Sequence, residues 1–205
     1  NLDTIKSAGF NAIKINGYNF KSKEIAKIAK EKGIIVYFHP QYIAVKNKDL
    51  KSGEEFIGLA RKMIAEMKNY IDVLGVGNEL TVEIIDLYYE NLKKYKEKVS
   101  NFSAVKKSLE SDPKKFSEFL NRLVKIIRSE FNGKITYFSG WWEDPFVNWN
   151  LFDVVACNLF YNEESKPFYN EKIKFLKSFN KPFVIGEMGY LTIKDSFKVG
   201  LDWSY

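Results

Sequence analysis

The chain has 205 residues, of which 45% are hydrophobic and 28% charged, with one cysteine and one histidine. That composition is globular and long enough for a substantial core, and it excludes a disordered chain, a disulfide scaffold and a histidine-rich metal centre. The net charge of +6 does not point to nucleic acid. Lys93, Lys94, Lys96, Lys98, Lys106, Lys107, Lys114 and Lys115 lie in helix-like stretches and alternate with Glu90, Glu97, Glu110 and Glu118, the pattern of a solvated helix surface. No glycine-rich phosphate loop or RNA-binding signature accompanies them. No apolar run approaches the roughly 20 residues of a membrane span, and no signal-peptide pattern stands at the visible start. Localisation stays open, with secretion or a cell-surface position compatible.

In chain order, Leu2 to Gly9 reads as the last turns of a helix closed by glycine, followed by a short strand, Asn11 to Ile15. Ser22 is the expected cap of the next helix, with Ile25, Ala26, Ile28 and Ala29 on its buried side and Gly33 at its end. Ile34 to Phe38 is a continuous apolar strand stopped by His39-Pro40. A helix from about Glu54 to Tyr70 leads into the run Val73-Leu74-Gly75-Val76-Gly77-Asn78-Glu79. A long helical region, Val82 to Phe131, should break near Ser100 and again at Asp112-Pro113, where proline suits a first helical turn. Strand Lys134 to Phe138 delivers Trp141-Trp142-Glu143-Asp144. A short helix around Pro145 to Asn150, a strand from Asp153 to Asn158, a helix from Pro167 to Phe179 and a strand from Phe183 to Glu187 complete the pattern. Cys157, inside an apolar run, reads as a buried structural thiol.

Continuous rather than alternating strands, each followed by a helix, imply a parallel sheet buried on both faces. A dinucleotide-binding open sheet is disfavoured because no Gly-x-Gly-x-x-Gly follows any strand, while polar and aromatic residues crowd the strand exits as they do at the mouth of a barrel. The expected fold is α/β, a TIM (β/α)8 barrel forming a single domain over residues 1–205. A full barrel typically takes about 250 residues. Here the chain begins inside the first helix, and the last candidate strand, Val199 to Tyr205, follows Glu187 closely. Trimmed ends, missing internal residues or a barrel incomplete at its first strand and C-terminal end all account for this.

Glu79 and Glu187 each end an apolar strand, where a carboxylate is costly to desolvate unless it is used. Two such carboxyls on one barrel are what acid-catalysed glycosidic cleavage needs. Asn78 offers an amide to a sugar's 2-hydroxyl. Of the adjacent Trp141 and Trp142, one should face a cleft, where an indole stacks on a sugar, and the other should be packed inside. His39, at a strand exit, lines the cleft or is a hydrogen-bonded structural residue before Pro40. Glu143 and Asp144 could bind hydroxyls, although Asp144 before Pro145 fits a helix cap better. Asn16, Tyr18 and Tyr190 are weaker candidates for sugar contacts.

These residues resemble the large clan of (β/α)8 glycoside hydrolases that includes cellulases, β-mannanases and β-galactanases. In that clan Asn-Glu ends strand four, its glutamate being the acid/base, and a second glutamate ends strand seven as nucleophile. Counting Asn11 to Ile15 as the second strand puts Asn78-Glu79 on the fourth and Glu187 on the seventh. The resemblance further implies that Lys14 stands where an arginine is common, that Tyr161 is the tyrosine that bonds the nucleophile, and that Trp203 is the strand-eight tryptophan flooring the sugar site.

The expected activity is a retaining β-glycoside hydrolase acting on a β-linked polysaccharide or oligosaccharide, with Glu79 and Glu187 catalytic. Asn78, Lys14, His39, Trp141, Trp142, Tyr161 and Trp203 would contact the carbohydrate. Neither cofactor, metal, nucleic acid nor membrane is expected. The competing expectations are a catalytically silent carbohydrate-binding barrel and a barrel whose two glutamates hold a divalent metal.

Overall fold

A computed structural model describes residues 2–41, 52–84, 102–163 and 165–189. Helix α1 (Leu2–Ser7) precedes β1 (Ala12–Asn16), α2 (Phe20–Glu31), β2 (Ile35–His39), α3 (Gly53–Met67) and β3 (Val73–Asn78). Then come the single turn α4 (Leu80–Glu83), α5 (Phe102–Ser111), α6 (Pro113–Arg128), β4 (Lys134–Gly140), β5 (Val155–Asn158), α7 (Tyr169–Lys177) and β6 (Phe183–Glu187). Among the described residues all six strands are parallel, in the order β1-β2-β3-β4-β5-β6. A doubly wound sheet reverses its strand order at a switch point; strict sequence order is that of a (β/α)8 barrel, of which these are six strands. Parallel pairing also puts every strand exit on one rim, where Asn16, His39, Asn78, Asn158 and Glu187 gather.

The helices cover the outside of the sheet. In α3, Phe56, Ile57, Ala60, Met63, Ile64 and Met67 are buried, and in α6 Phe116, Leu120, Leu123, Val124 and Ile127, both at helical spacing. Inside the arc, Phe138 fills the space against β3 and β6. A Cβ on Gly75 would stand 2.7 Å from its ring and 2.8 Å from His39 Cβ, and one on Gly186 would stand 2.5 Å from the same ring. These glycines are the room that Phe138 occupies.

Several boundaries differ from the sequence reading for local reasons. Asn19, not Ser22, caps α2: its side chain accepts from the Lys21 and Ser22 amides, and Ser22 completes the capping box from the third helical position. Ser52 caps α3 in the same reciprocal way with Glu55. Gly9 and Gly33 take φ of +88° and +68°, as closing glycines do. His39 belongs to β2 instead of stopping it. The short helix around 145–150 is two 3-10 turns, Asp144–Phe146 and Trp149–Leu151. Asp144 does not cap: its buried carboxylate is drawn to Lys172 Nζ at 2.7 Å, while the first turn has no side-chain cap. The break at Asp112-Pro113 is present, with Pro113 at the first position of α6. The break near Ser100, the lysines from Lys93 to Lys98 and the candidate strand Val199 to Tyr205 lie outside the described residues.

Two alanine substitutions separate these packing effects. Gly75→Ala should lower stability by about 1–3 kcal/mol, because its methyl meets the Phe138 ring and the His39 Cβ. Gly58→Ala, on the exposed face of α3 with nothing within 4 Å, should raise it by about 0.5–1 kcal/mol. Urea unfolding of both variants checks the pair.

Candidate active site

The site grows from the end of β3. Asn78 is the last strand residue, and Glu79 turns the chain in the left-handed region, φ 46° and ψ 49°, before α4 begins. A non-glycine residue there costs on the order of 1–2 kcal/mol, so neighbouring bonds must hold it. Glu79 N donates to Phe138 O at 2.9 Å, and Val82 N to Glu79 O at 2.8 Å. Leu80 N donates to Tyr137 Oη at 2.9 Å and Thr81 N to Glu143 Oε1 at 2.9 Å. Although Glu79 occupies the cap position of α4, its side chain makes no cap bond. It turns instead toward Asn158, whose Nδ2 donates to Glu79 Oε1 at 2.9 Å and to Asn78 Oδ1 at 3.2 Å.

Lys14, on β1, links this cluster to the other glutamate. Its Nζ lies 2.9 Å from Glu187 Oε1, 3.1 Å from Asn78 Oδ1 and 4.2 Å from the centre of the Phe138 ring. A continuous chain of hydrogen bonds therefore runs from Glu187 through Lys14, Asn78 and Asn158 to Glu79. The Glu187 side chain stays 32% exposed, so the ion pair sits at an opening and not in a sealed interior.

The two carboxyls are in different electrostatic situations. Burial pushes Glu79 up to about 8; the Asn158 hydrogen bond opposes this, the negative charges of Glu143 and Glu187 add to it, and Lys14 counters. Glu187 is partly exposed and lies against the Lys14 ammonium. His39 is pushed down to about 3, first by burial and then by Lys14, and is neutral. Its Nε2 donates to Asn16 Oδ1 at 2.9 Å and its ring lies 5.5 Å from that of Phe138. With no exposed surface, His39 supports the floor of the site and cannot line a cleft.

The two tryptophans differ in burial. Trp141 is half-buried, 5.1 Å from Phe168, beside a cavity of about 310 Å³ shared with Lys106, Glu171, Lys172 and Phe175. Trp142 is 2% exposed, and its Nε1 donates to Thr81 Oγ1 at 3.0 Å, so its indole is committed to the turn after Glu79 and has no face for a sugar. Glu143 and Asp144 are wholly buried and do not reach a surface. Tyr161 is exposed at 41%, with its ring edge-on to Tyr169 at 5.0 Å. Tyr18 is exposed beyond β1. Trp203 and Tyr190 lie outside the described residues. Sequence reasoning missed Asn158. Its signal was the one that marked Asn78, an asparagine closing a buried strand.

No protein-family model and no curated protein sequence matches the chain. Solved structures do. A GH113 β-1,4-mannanase superposes with a TM-score of 0.67 at 12% identity, over 98% of this chain and 69% of that one. The GH113 β-mannanase of Alicyclobacillus acidocaldarius gives 0.55 at 16% identity, over 89% of this chain and 55% of that one. A Bacteroides uniformis β-glucuronidase, covalently bound to a cyclophellitol-6-carboxylate aziridine, gives 0.61 at 17% identity, over 94% and 22%.

The fold is the (β/α)8 barrel that these structures share.

The chain spans only part of each of these neighbours. Among the described residues no three acidic, histidine or cysteine side chains form a metal-binding group, and no helix is long and apolar enough to cross a membrane.

The raised Glu79 has a thermodynamic consequence. An acid whose folded value exceeds its ordinary 4.5 keeps a proton that the unfolded chain has lost, so the stability it supplies below about 4.5 drains away as pH rises toward about 8. Between pH 6.5 and 8, above the values of His39 and of Asp144, which burial pushes up to about 6, Glu79 adds a falling slope. Its share should be roughly 1–2 kcal/mol over that interval, so Glu79→Gln should lose that much less than wild type. Urea midpoints at the two pH values give the comparison.

Proposed function

We propose that the chain carries the site of a retaining β-glycoside hydrolase, with Glu79 as acid/base and Glu187 as nucleophile. The observation that carries this reading is the pairing of unlike carboxyls on one rim: one kept protonated by burial, the other partly exposed and ion-paired with Lys14, and both joined through Asn78 and Asn158. Double displacement needs that difference. Glu79 gives its proton to the leaving oxygen while Glu187 attacks the anomeric carbon and the glycosidic bond breaks. Glu79, now a carboxylate, takes a proton from the incoming water, which displaces Glu187 and restores both groups.

The surrounding residues fit this division. Lys14 and Asn158 both donate to Asn78 Oδ1, which leaves the Asn78 Nδ2 donor to meet a sugar 2-hydroxyl. Lys14 aligns the Glu187 carboxylate as a point charge, without the two-pronged grip of an arginine. Tyr161, exposed at 41%, stands beyond β5 on the same rim. The neighbours act on β-linked sugars by their printed names, mannanases and glucuronidases, and one is captured covalently by a cyclophellitol aziridine. A β-linked oligo- or polysaccharide is accordingly the substrate class.

With aryl β-glycosides, β-mannan and β-glucan as substrates, Glu79→Gln and Glu187→Gln should each lower kcat/KM by about 10²–10⁴-fold. A cyclophellitol aziridine should add one label per chain, located on Glu187 by peptide mass spectrometry and absent from Glu187→Gln. Proton NMR of the first-formed product should show retained configuration; inversion, or a label elsewhere, would overturn the assignment.

A further inference from the structure

Resting on the hydrolase reading, we propose that Glu143 is a positioning residue for Glu79, a buried carboxylate that holds the left-handed turn from which Glu79 projects. Glu143 accepts four hydrogen bonds: from Thr81 N at 2.9 Å, Thr81 Oγ1 at 2.6 Å, Tyr137 Oη at 2.8 Å and Gly140 N at 2.9 Å. Trp142 Nε1 donates to Thr81 Oγ1 at 3.0 Å and Leu80 N to Tyr137 Oη at 2.9 Å, which leaves each hydroxyl's own proton available to Glu143. Burial raises Glu143 and these donors oppose it by favouring the charged form; each carboxyl oxygen accepts one backbone N–H, which an amide in its place cannot match. A glutamine would turn its NH₂ against either the Thr81 or the Gly140 amide.

The backbone that this cluster holds is the turn after Glu79. The amides of Leu80 and Thr81, the two positions after the strained residue, end on Tyr137, which lies on β4, and on Glu143, just past the end of that strand. The geometry of the acid/base is thus set from the neighbouring strand and from the outer layer of the barrel, where Tyr137 packs against Phe116 of α6. Glu143 also acts through charge. The groups facing Glu79 are Glu143 and Tyr137 from the β4 side, Glu187 from β6 and Lys14 from β1; Glu143 raises Glu79, and removing it lets Glu79 ionise at lower pH.

The test compares the full-length wild type with Glu143→Gln and Tyr137→Phe on two aryl β-glycosides of the same sugar. One carries a phenyl leaving group that needs protonation, the other a dinitrophenyl group that does not. Both variants should lose about a hundredfold in kcat/KM on the phenyl substrate and less than about fivefold on the dinitrophenyl substrate. In Glu143→Gln the basic limb of kcat/KM should also move by at least about half a pH unit to lower pH. Equal losses on both substrates, or an unmoved limb with wild-type leaving-group dependence, overturn the proposal. Should Glu143→Gln fail to fold, Tyr137→Phe, which deletes one oxygen, decides it through the leaving-group comparison. A wild type that turns over neither substrate removes the parent reading first, and so distinguishes that failure from this one.

Discussion

A carboxyl group withheld from water at the end of β3 sets the terms for everything around it. Crowding by protein atoms makes the neutral form of Glu79 the stable one near pH 7. A charged group in that place would need a cation beside it, and the nearby cation, Lys14, instead lies against Glu187 and the Asn78 amide oxygen. Asn158 supplies a neutral donor to Glu79, enough to orient the carboxyl but not enough to offset its burial. The site is a division of one ammonium between two acids, and the division is unequal.

That inequality depends on rigidity, which comes from the barrel interior. Phe138 stands on the inner face of β4, with Lys14 over its ring, His39 against its edge, and glycines at 75 and 186 where side chains would collide with it. Lys14 cannot slump inward, because the ring is there, and cannot turn away without leaving Glu187. Tyr137, the next residue back along β4, points to the opposite face and fastens the turn after Glu79 from outside. One strand thus steadies the acid/base candidate on its outer face and the cation on its inner one, an economy that follows from the two-residue repeat of a strand.

Much of this was legible in the amino-acid order. The apolar runs separated by amphipathic helices gave a parallel α/β barrel, because strands covered on both faces cannot alternate in polarity. Glycine-closed helices and the Pro113 start were readable because φ preference is a local property. Glu79, Glu187, Asn78 and Lys14 stood out as polar residues at strand exits, and parallel topology alone places all strand exits on one rim. The cap at Asn19 was missed in favour of Ser22 because both residues suit a helix start, and only the backbone at position 19 is extended.

What the chain order alone determined, then, is which residues reach the rim. Which of them face inward, which outward and which are sealed from water was decided by tertiary structure. Trp141 and Trp142 are adjacent and chemically identical, yet one borders a cavity and the other is locked to Thr81. His39 and Glu143 read equally well as surface groups, but the first is enclosed with Phe138 and the second with four donors drawn from positions 3 to 62 residues away. The reason is physical: periodicity reports the local direction of a side chain, whereas desolvation and hydrogen-bond partners come from strands brought together by register, and pKa values follow from those.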